Sequence, residues 1–169
     1  MAFQIFIAIK GAKQGQFKAE AVGDRKDKWM PVTAFTMGVV TPFDAATGHA
    51  SGRHQPRPLT ITKAWGAASP QGLAANANNE VLNEVAIEFT KTGTDGKDAV
   101  YQTVTLTDAA LMQIERFTGE TQAAADAAGK PRPGATEMTE LERWSFTFRQ
   151  ITVVDKDANT MFMDSWAAT

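Results

Sequence analysis

The feature that most constrains the fold of this chain is an alternation of apolar and polar residues with a period of two. In residues 2–10, every second position is apolar: Phe3, Ile5, Ile7 and Ile9. Successive side chains of a strand point to opposite faces, so this pattern predicts a strand with one buried face. The pattern recurs at Val85, Ile87 and Phe89, at Val100, Val104 and Leu106, and at Trp144, Phe146 and Phe148. These segments predict antiparallel β-structure with a core on one side.

Further segments fit strands less regularly. They are residues 31–40, 58–64, 149–155 and 160–166, whereas residues 111–117 fit either a strand or a helix. Residues 149–155 continue the preceding strand through an irregularity near Gln150. A hairpin turn is expected at Asp95-Gly96, where glycine accepts a positive φ, and a second turn at residues 157–159.

One short helix is expected after Ser69. Serine is a favoured N-cap and Pro70 suits the first helical position, while the asparagine-rich residues 76–79 end the helix. A mostly β chain with one small helix predicts a two-sheet barrel or sandwich of antiparallel strands. The length of 169 residues suits a single domain that spans residues 1–169.

Composition excludes several classes of function. The chain has 17 basic and 19 acidic residues, a net charge of -2, so no basic excess points to nucleic acid. No apolar run is long enough for a membrane span. Residues 1–10 lack a basic leader and a cleavage site, so any export is expected without cleavage of a signal peptide. The absence of cysteine excludes disulfides and thiolate chemistry.

The candidates for catalytic or metal sites are weak. His49, His54 and Asp44 could form a two-histidine metal site, and Ser51 with His54 and Asp44 a hydrolytic triad. No nucleophile elbow surrounds Ser51 and no strand or helix spacing directs the histidines, so ordinary surface histidines are the better interpretation. We expect no enzyme activity, no metal and no cofactor.

Three long loops and one polar cluster remain. The loops are residues 11–28, 41–55 and 119–137, and loops of this length often have a functional role. The basic residues Arg53, His54, Arg57 and Lys63 form the sharpest polar group in the sequence. Because the whole chain is slightly acidic, this group is expected to pair with acidic residues of the same subunit or of a neighbouring one.

The stretch GRHQPRPLTITK at residues 52–63, followed by AWGAASP at 64–70, is distinctive. It resembles the haemolysin-coregulated protein (Hcp) family, the tube protein of type VI secretion systems. That family has a similar basic stretch, proline, strand ending in Thr-Lys and Ala-Ser-Pro helix start. Residues 4–10, Met37-Gly38-Val39, Leu141-Glu142 and Ser145-Phe146 match it in order. Gly66 stands where the family commonly has an acidic residue.

The resemblance implies a β-barrel with one helix, similar to phage tail-tube proteins. It implies rings of six copies that stack into a tube, and a contractile sheath that propels the tube and its spike from the cell. The protein would be cytoplasmic before firing and extracellular afterwards, and effector proteins could bind in the channel. Polar strand residues such as Gln102, Thr103 and Thr105, or Thr147 and Arg149, could line that channel.

Contacts between subunits or rings are expected at six positions: Phe43, Arg53, His54, Arg57, Lys63 and Trp65. The loops at 11–28 and 41–55 are expected to reach adjacent copies, since loops and unpaired sheet edges supply such contacts. Two alternatives stay open. The chain could be a monomeric β-sandwich that binds a ligand through a concave aromatic patch, or a hydrolase with its triad in the loop at 41–55.

Overall fold

The computed structural model describes residues 3–21, 27–119 and 139–166. Apart from one helix, the elements of these residues are β-strands. In chain order they are β1 (Phe3–Gly11), β2 (Gly15–Gln16), β3 (Met30–Val32), β4 (Ala34–Thr36), β5 (Val39–Val40), β6 (Gln55–Pro56), β7 (Leu59–Ala64), α1 (Ser69–Ala77), β8 (Val81–Thr92), β9 (Asp98–Gly119), β10 (Thr139–Asp155) and β11 (Thr160–Ser165). The predicted mostly β fold with one short helix is confirmed.

Most strands belong to one antiparallel sheet. Its order is β2-β1-β8-β9-β10-β7-β4, with β3 also paired to β1 and β11 also paired to β10, while β5 and β6 form a small separate sheet. The predicted alternation places Ile7, Ile87, Leu106 and Trp144 in the core. Residues 111–117 are strand, because they continue the 22-residue strand β9.

The sheet folds back on itself into two layers. Phe35 on the edge strand β4 and Phe89 on β8 have ring centroids 5.0 Å apart, although several strands separate them in the sheet order. The consecutive strands β3 and β4 link the two sides, since β3 pairs with β1 and β4 pairs with β7. The result is the sandwich-like arrangement that the sequence predicts, built from a single bent sheet.

The bend follows one line across β8, β9 and β10. In each strand two successive core positions are three residues apart instead of two: Leu82 and Val85, Leu106 and Ala109, and Phe148 and Ile151. The pairing register is unbroken at this line, so the three strands change together which alternate residues face the core. Asp108 lies on this line with a φ of 49°. Near Gln150, where the sequence predicts an irregularity, the core-facing positions change without a register shift, and the register shift of β10 lies between Ser145 and Phe146.

Both predicted turns are present. In the turn between β8 and β9, Gly93 N donates to Lys97 O at 2.8 Å, and Gly96 has a φ of 75°. In the turn between β10 and β11, Asn159 has a φ of 53°. These positive φ values are those that tight hairpin turns require.

The helix begins one residue earlier than predicted. Its N-cap is Ala68, and Ser69 is the first helical residue with Pro70 next to it. Ser69 cannot cap the helix because its hydroxyl is used elsewhere: Oγ accepts from Gly66 N and donates to Glu142 Oε1. The predicted end is confirmed, since the C-cap Asn78 donates its N–H to Ala74 O. No helix in the described ranges is long and apolar enough to cross a bilayer.

The helix packs on Trp144 through a glycine. A Cβ added to Gly72 would lie 2.4 Å from Trp144 Cη2, and the indole is fully buried. We predict that Gly72→Ala lowers the free energy of unfolding by about 1–3 kcal/mol, as overpacking does, although alanine is the better helix former. Thermal or urea unfolding measures the change.

The matched control is Leu73→Ala on the exposed side of the same helix. We expect it to change stability much less than Gly72→Ala. A Gly72→Ala protein as stable as the unmodified chain would contradict the close packing of the helix on Trp144.

Candidate functional site

Residues 37–56, here called the arm, project from the main sheet as a β-hairpin. Val39 pairs with Pro56 and Val40 with Gln55, and farther out a bridge joins Phe43 to Ala50. The predicted long loop is therefore partly β-structure. Its tip is a turn around Asp44, whose side chain accepts hydrogen bonds from Ala46 N at 2.9 Å and from Thr47 Oγ1.

The arm carries an exposed apolar surface formed by Met37, Val39, Val40 and Phe43. Phe43 is the most exposed of these side chains, at 68%. Exposed apolar side chains grouped on one element commonly mark a contact surface for another protein. Phe43 is thus accessible to another protein, and its role as an interface residue remains a prediction.

The last strand, β11, exposes a second apolar surface. Met161, Phe162 and Met163 are each at least half exposed. Within the described residues, β11 pairs only with β10, so the backbone of Thr160–Asp164 has no second strand partner there. Unpaired edges with apolar side chains favour pairing with another chain.

The arm leaves the sheet close to β11. On one edge of β10, β7 pairs with Leu141 to Phe146 and β11 pairs with Gln150 to Asp155, so a short gap separates them. The arm ends just before β7. Its last residues contact the end of β11: His54 Nε2 bonds Asp164 Oδ2, and Arg53 donates to Ser165 O at 3.2 Å.

Arg57 lies at the root of the arm. Its backbone N donates to Gly38 O at 2.8 Å, and its side chain runs beside Gly38, where a Cβ would lie 3.5 Å from Arg57 Cδ. Arg53, His54 and Arg57 therefore all hold the base of the arm to the subunit itself. The predicted pairing with an acidic residue is present for His54, within the same chain.

Lys63 contradicts its prediction as a subunit contact. Its side chain is completely buried, and Nζ lies 2.9 Å from Glu142 Oε1, 3.0 Å from Glu20 Oε2 and 2.8 Å from Ala64 O. All three ammonium protons are thus satisfied inside the subunit. The basic group seen in the sequence is divided, because Lys63 points into the core and the others hold the arm.

Glu142 is the centre of a buried charged network that sequence reasoning missed. Its Oε1 accepts from Lys63 Nζ and from Ser69 Oγ at 2.7 Å, and its Oε2 lies 3.4 Å from Arg116 Nε. Glu20 adds a second carboxylate and accepts from Ala68 N at 2.8 Å. Two acids and two bases balance. The alternating pattern could have revealed this network. Lys63 and Glu142 stand at positions of β7 and β10 whose side chains point into the core.

Trp65 covers this network from outside. Its indole Nε1 donates to Leu141 O at 2.8 Å, and the Arg116 guanidinium lies 4.0 Å from its ring centroid. Trp65 is half-buried. Its interactions within the subunit account for its position, and the predicted contact with another copy remains a prediction.

The first part of the predicted loop at 11–28 is held against its own subunit. Glu80 accepts from Lys13 N and Gln14 N, each at 2.8 Å, and Lys18 N donates to Gln71 of the helix. Burial acts to raise the pKa of Glu80, but the hydrogen bonds from Gln14 and Lys13 outweigh it and lower the pKa. Residues 11–18 are therefore not free to extend to a neighbour. Of the loop at 119–137, residues 120–137 lie outside the described residues.

The possible catalytic and metal sites do not assemble. His54 pairs with Asp164 rather than with Asp44, which is engaged in the turn of the arm, so the triad with Ser51 is absent. Among the residues that the structure describes, no group of three His, Cys, Asp or Glu side chains is placed to hold a metal ion.

Comparison with known proteins identifies the family. The family model described as type VI secretion system effector, Hcp, matches residues 6–154. The chain is also 31% identical to the major exported protein of Pseudomonas aeruginosa, over 98% of this chain and 96% of that one. The chain belongs to the Hcp family. Hcp proteins are structural tube proteins rather than enzymes, as the sequence predicts.

Solved Hcp structures share the fold over nearly the whole chain. The secreted protein Hcp3 from Pseudomonas aeruginosa is 25% identical, with a TM-score of 0.74 over 99% of this chain and 100% of that one. A crystal structure of an Hcp protein gives a TM-score of 0.81 at 24% identity, over 99% and 100% of the two chains. The predicted architecture is thus confirmed by similar solved structures.

We predict that Lys63→Met strongly destabilises this Hcp chain. The substitution leaves the buried carboxylate of Glu142 without its main cation, and breaking a buried pair costs about 3–5 kcal/mol. Urea unfolding monitored by circular dichroism measures the loss. The double variant Lys63→Met with Glu142→Leu should recover part of it, because it removes both charges.

The matched control is Arg143→Met. Arg143 pairs with Glu115 at 3.1 Å, but both side chains are about half exposed. An exposed pair contributes about 0–1 kcal/mol, so a small effect is expected. If Lys63→Met and Arg143→Met lowered the free energy of unfolding equally, burial would not be what makes the Lys63 ion pair important.

Gly66 leaves space for Glu20. A Cβ at position 66 would lie 2.3 Å from Glu20 Oε1, so the Glu20 carboxylate occupies the space that a side chain at position 66 would need. We predict that Gly66→Asp destabilises the chain and that adding Glu20→Ala relieves part of this loss. A double-mutant cycle by urea unfolding measures the coupling. Strictly additive effects would show that the two sites are independent.

Proposed function

We propose that this Hcp chain is the tube subunit of a type VI secretion system. Six copies form a ring, rings stack into a tube, and a contractile sheath drives the tube and its spike out of the cell. The observation that carries the proposal is the pair of exposed apolar surfaces, the arm and β11, on a chain whose core is otherwise well packed. Family membership supplies the context in which these surfaces act.

A ring requires two different surfaces on each subunit. In a closed ring the interface is heterologous, so one patch of a copy contacts a different patch of the next copy. The arm and β11 are two such patches. Stacking of rings needs a further, non-closing contact, for which a projecting element such as the arm tip with Phe43 is suited.

One face of the main sheet has the composition that a transport channel needs. Ala86, Thr105 and Thr152 follow one another across β8, β9 and β10 in register, and each is partly exposed. The opposite face packs into the core. We infer that this row and the neighbouring Thr103 line the channel. Small and hydroxyl-bearing side chains without a dominant charge would let effector proteins pass or bind weakly. Gln102, also considered from the sequence, falls on the other face.

Export belongs to the same proposal. The relative from Pseudomonas aeruginosa is named a major exported protein, which supports secretion of this chain by the firing of the machine. The protein would be cytoplasmic beforehand and would need no cleaved signal peptide. Its partners would be further copies of itself, the sheath and spike proteins, and effectors in the channel, without nucleic acid or membrane insertion.

Native mass spectrometry of the purified protein with negative-stain imaging tests the proposal. We expect particles of six times the chain mass of 18.2 kDa and ring-shaped images. A monomer at every concentration, with or without the other components of the machine, would sink the proposal and favour the ligand-binding module.

Phe43→Asp tests the role of the arm. A charge on the exposed apolar surface should weaken assembly without unfolding the chain, because Phe43 makes no core contact. The same mass measurement, made across a dilution series, should show fewer or smaller assemblies. The control is Leu73→Asp, which places the same charge at an exposed apolar position on the helix. Equal assembly of both variants would exclude Phe43 from the interface.

A further inference from the structure

The two candidate assembly surfaces meet at one small cluster of side chains. His54, the residue immediately before β6, bonds Asp164 of β11. The imidazole also lies against Trp166, with ring centroids 5.1 Å apart, and the Arg53 guanidinium lies 5.5 Å from the same indole. We call His54, Asp164, Arg53 and Trp166 the latch.

The latch is tied to the main sheet by Trp166. Its backbone N donates to Arg149 O at 2.6 Å, and its ring stacks on Phe148 of β10 with centroids 6.5 Å apart. Asp164 is therefore held by β11 and Trp166 by β10, whereas His54 and Arg53 belong to the arm. A change in the latch changes how firmly the arm is held to the rest of the subunit.

The elements that pack around His54 are β11, the arm and β10. Asp164 faces it from β11, Arg53 is its neighbour in the arm, and β10 contributes the uncharged ring of Phe148 and the backbone carbonyl of Arg149. One carboxylate thus faces one permanent cation and one titratable imidazole. Histidine commonly gains its proton between about pH 5 and 8.

Asp164 stays ionised through that range. Partial burial acts to raise its pKa, but hydrogen bonds from His54 and Ser165 N and the positive charges of His54 and Arg53 outweigh this effect. The pKa of Asp164 is therefore lowered. A carboxylate with a lowered pKa keeps its favourable interactions until the pH falls below its ordinary range.

We propose that the latch is a pH-sensitive device that sets how firmly the arm is docked on β11. When His54 is protonated, it forms a full ion pair with Asp164, and the arm is fixed. When the pH rises through the histidine range, only a neutral hydrogen bond remains, and the arm is released more easily. The stabilisation is present at the lower pH and is lost as pH increases.

The consequence for assembly rests on the proposed function. A fixed arm presents its apolar surface in one orientation, and such preorganisation lowers the entropic cost of binding the next copy. Assembly should therefore be tighter at pH 5.5 than at pH 8. Because the pair is partly exposed, the dissociation constant should increase only about two- to fivefold over this range.

The first experiment follows the latch itself. Intrinsic tryptophan fluorescence of the full chain is recorded from pH 5 to 8.5, since a protonated imidazole against Trp166 alters its emission. We expect one transition in the histidine range that disappears in His54→Gln and in Trp166→Phe. The matched control is His49→Gln, which removes the other histidine, also in the arm, and should leave the transition in place. A transition that persists in His54→Gln, or its absence from the unmodified chain, would overturn the proposal.

The second experiment follows assembly at pH 5.5 and 8 by native mass spectrometry across a dilution series. His54→Gln and Asp164→Asn should remove the pH dependence, and His49→Gln should retain it. A fluorescence transition combined with assembly that does not depend on pH would overturn the proposal. If no variant assembles at either pH, the tube function fails, while the fluorescence transition still decides whether the latch exists.

Discussion

The interaction on which the rest of the subunit depends is the buried contact between the Lys63 ammonium and the Glu142 carboxylate. Burying two charges is costly, and the groups around such a pair must offset that cost through further hydrogen bonds and charges. Here Ser69 fixes the start of the helix, Glu20 fixes the chain before β3, and Arg116 adds the third strand. A set of apolar side chains could pack this space without specifying one arrangement, whereas the charged network joins β7, β9, β10 and α1 in one register.

The second constraint is the bend across β8, β9 and β10. At this level the core-facing positions of all three strands shift by one residue. One sheet thereby forms two layers around a common core. The half that carries the charged network is closed by β7 and the helix. The other half is extended by β11 and keeps its outer face free of the helix. Of the two proposed assembly surfaces, β11 lies in the half away from the charged network.

Local patterns predict the parts of this fold that depend on neighbours in sequence. Alternation identifies the long strands, and the turn residues Gly96 and Asn159 mark two hairpins, because each signal acts over a few residues. Residues 41–55 of the arm were predicted as a loop, since β5 and β6 have two residues each and their pairing spans the intervening turn. Lys63 was misassigned because a lysine in an exposed-looking basic stretch is ordinarily on the surface. Its buried carboxylate partners are 43 and 79 residues away, and only the folded chain reveals them.

β10 connects the buried charged network with the proposed assembly surfaces. One edge of this strand pairs first with β7, beside Lys63 and Glu142, and then with β11, beside Asp164. The arm emerges from the gap between those two pairings, so its root is bounded by a buried ion pair on one side and a partly exposed one on the other. The buried pair is shielded from solvent and holds the frame. The pair of His54 and Asp164 is partly exposed, so it is the one to which the proposed pH response belongs. The two contacts thus differ in role because they differ in burial. The buried pair stabilises the fold, and the partly exposed pair is the proposed control of how firmly the arm is docked.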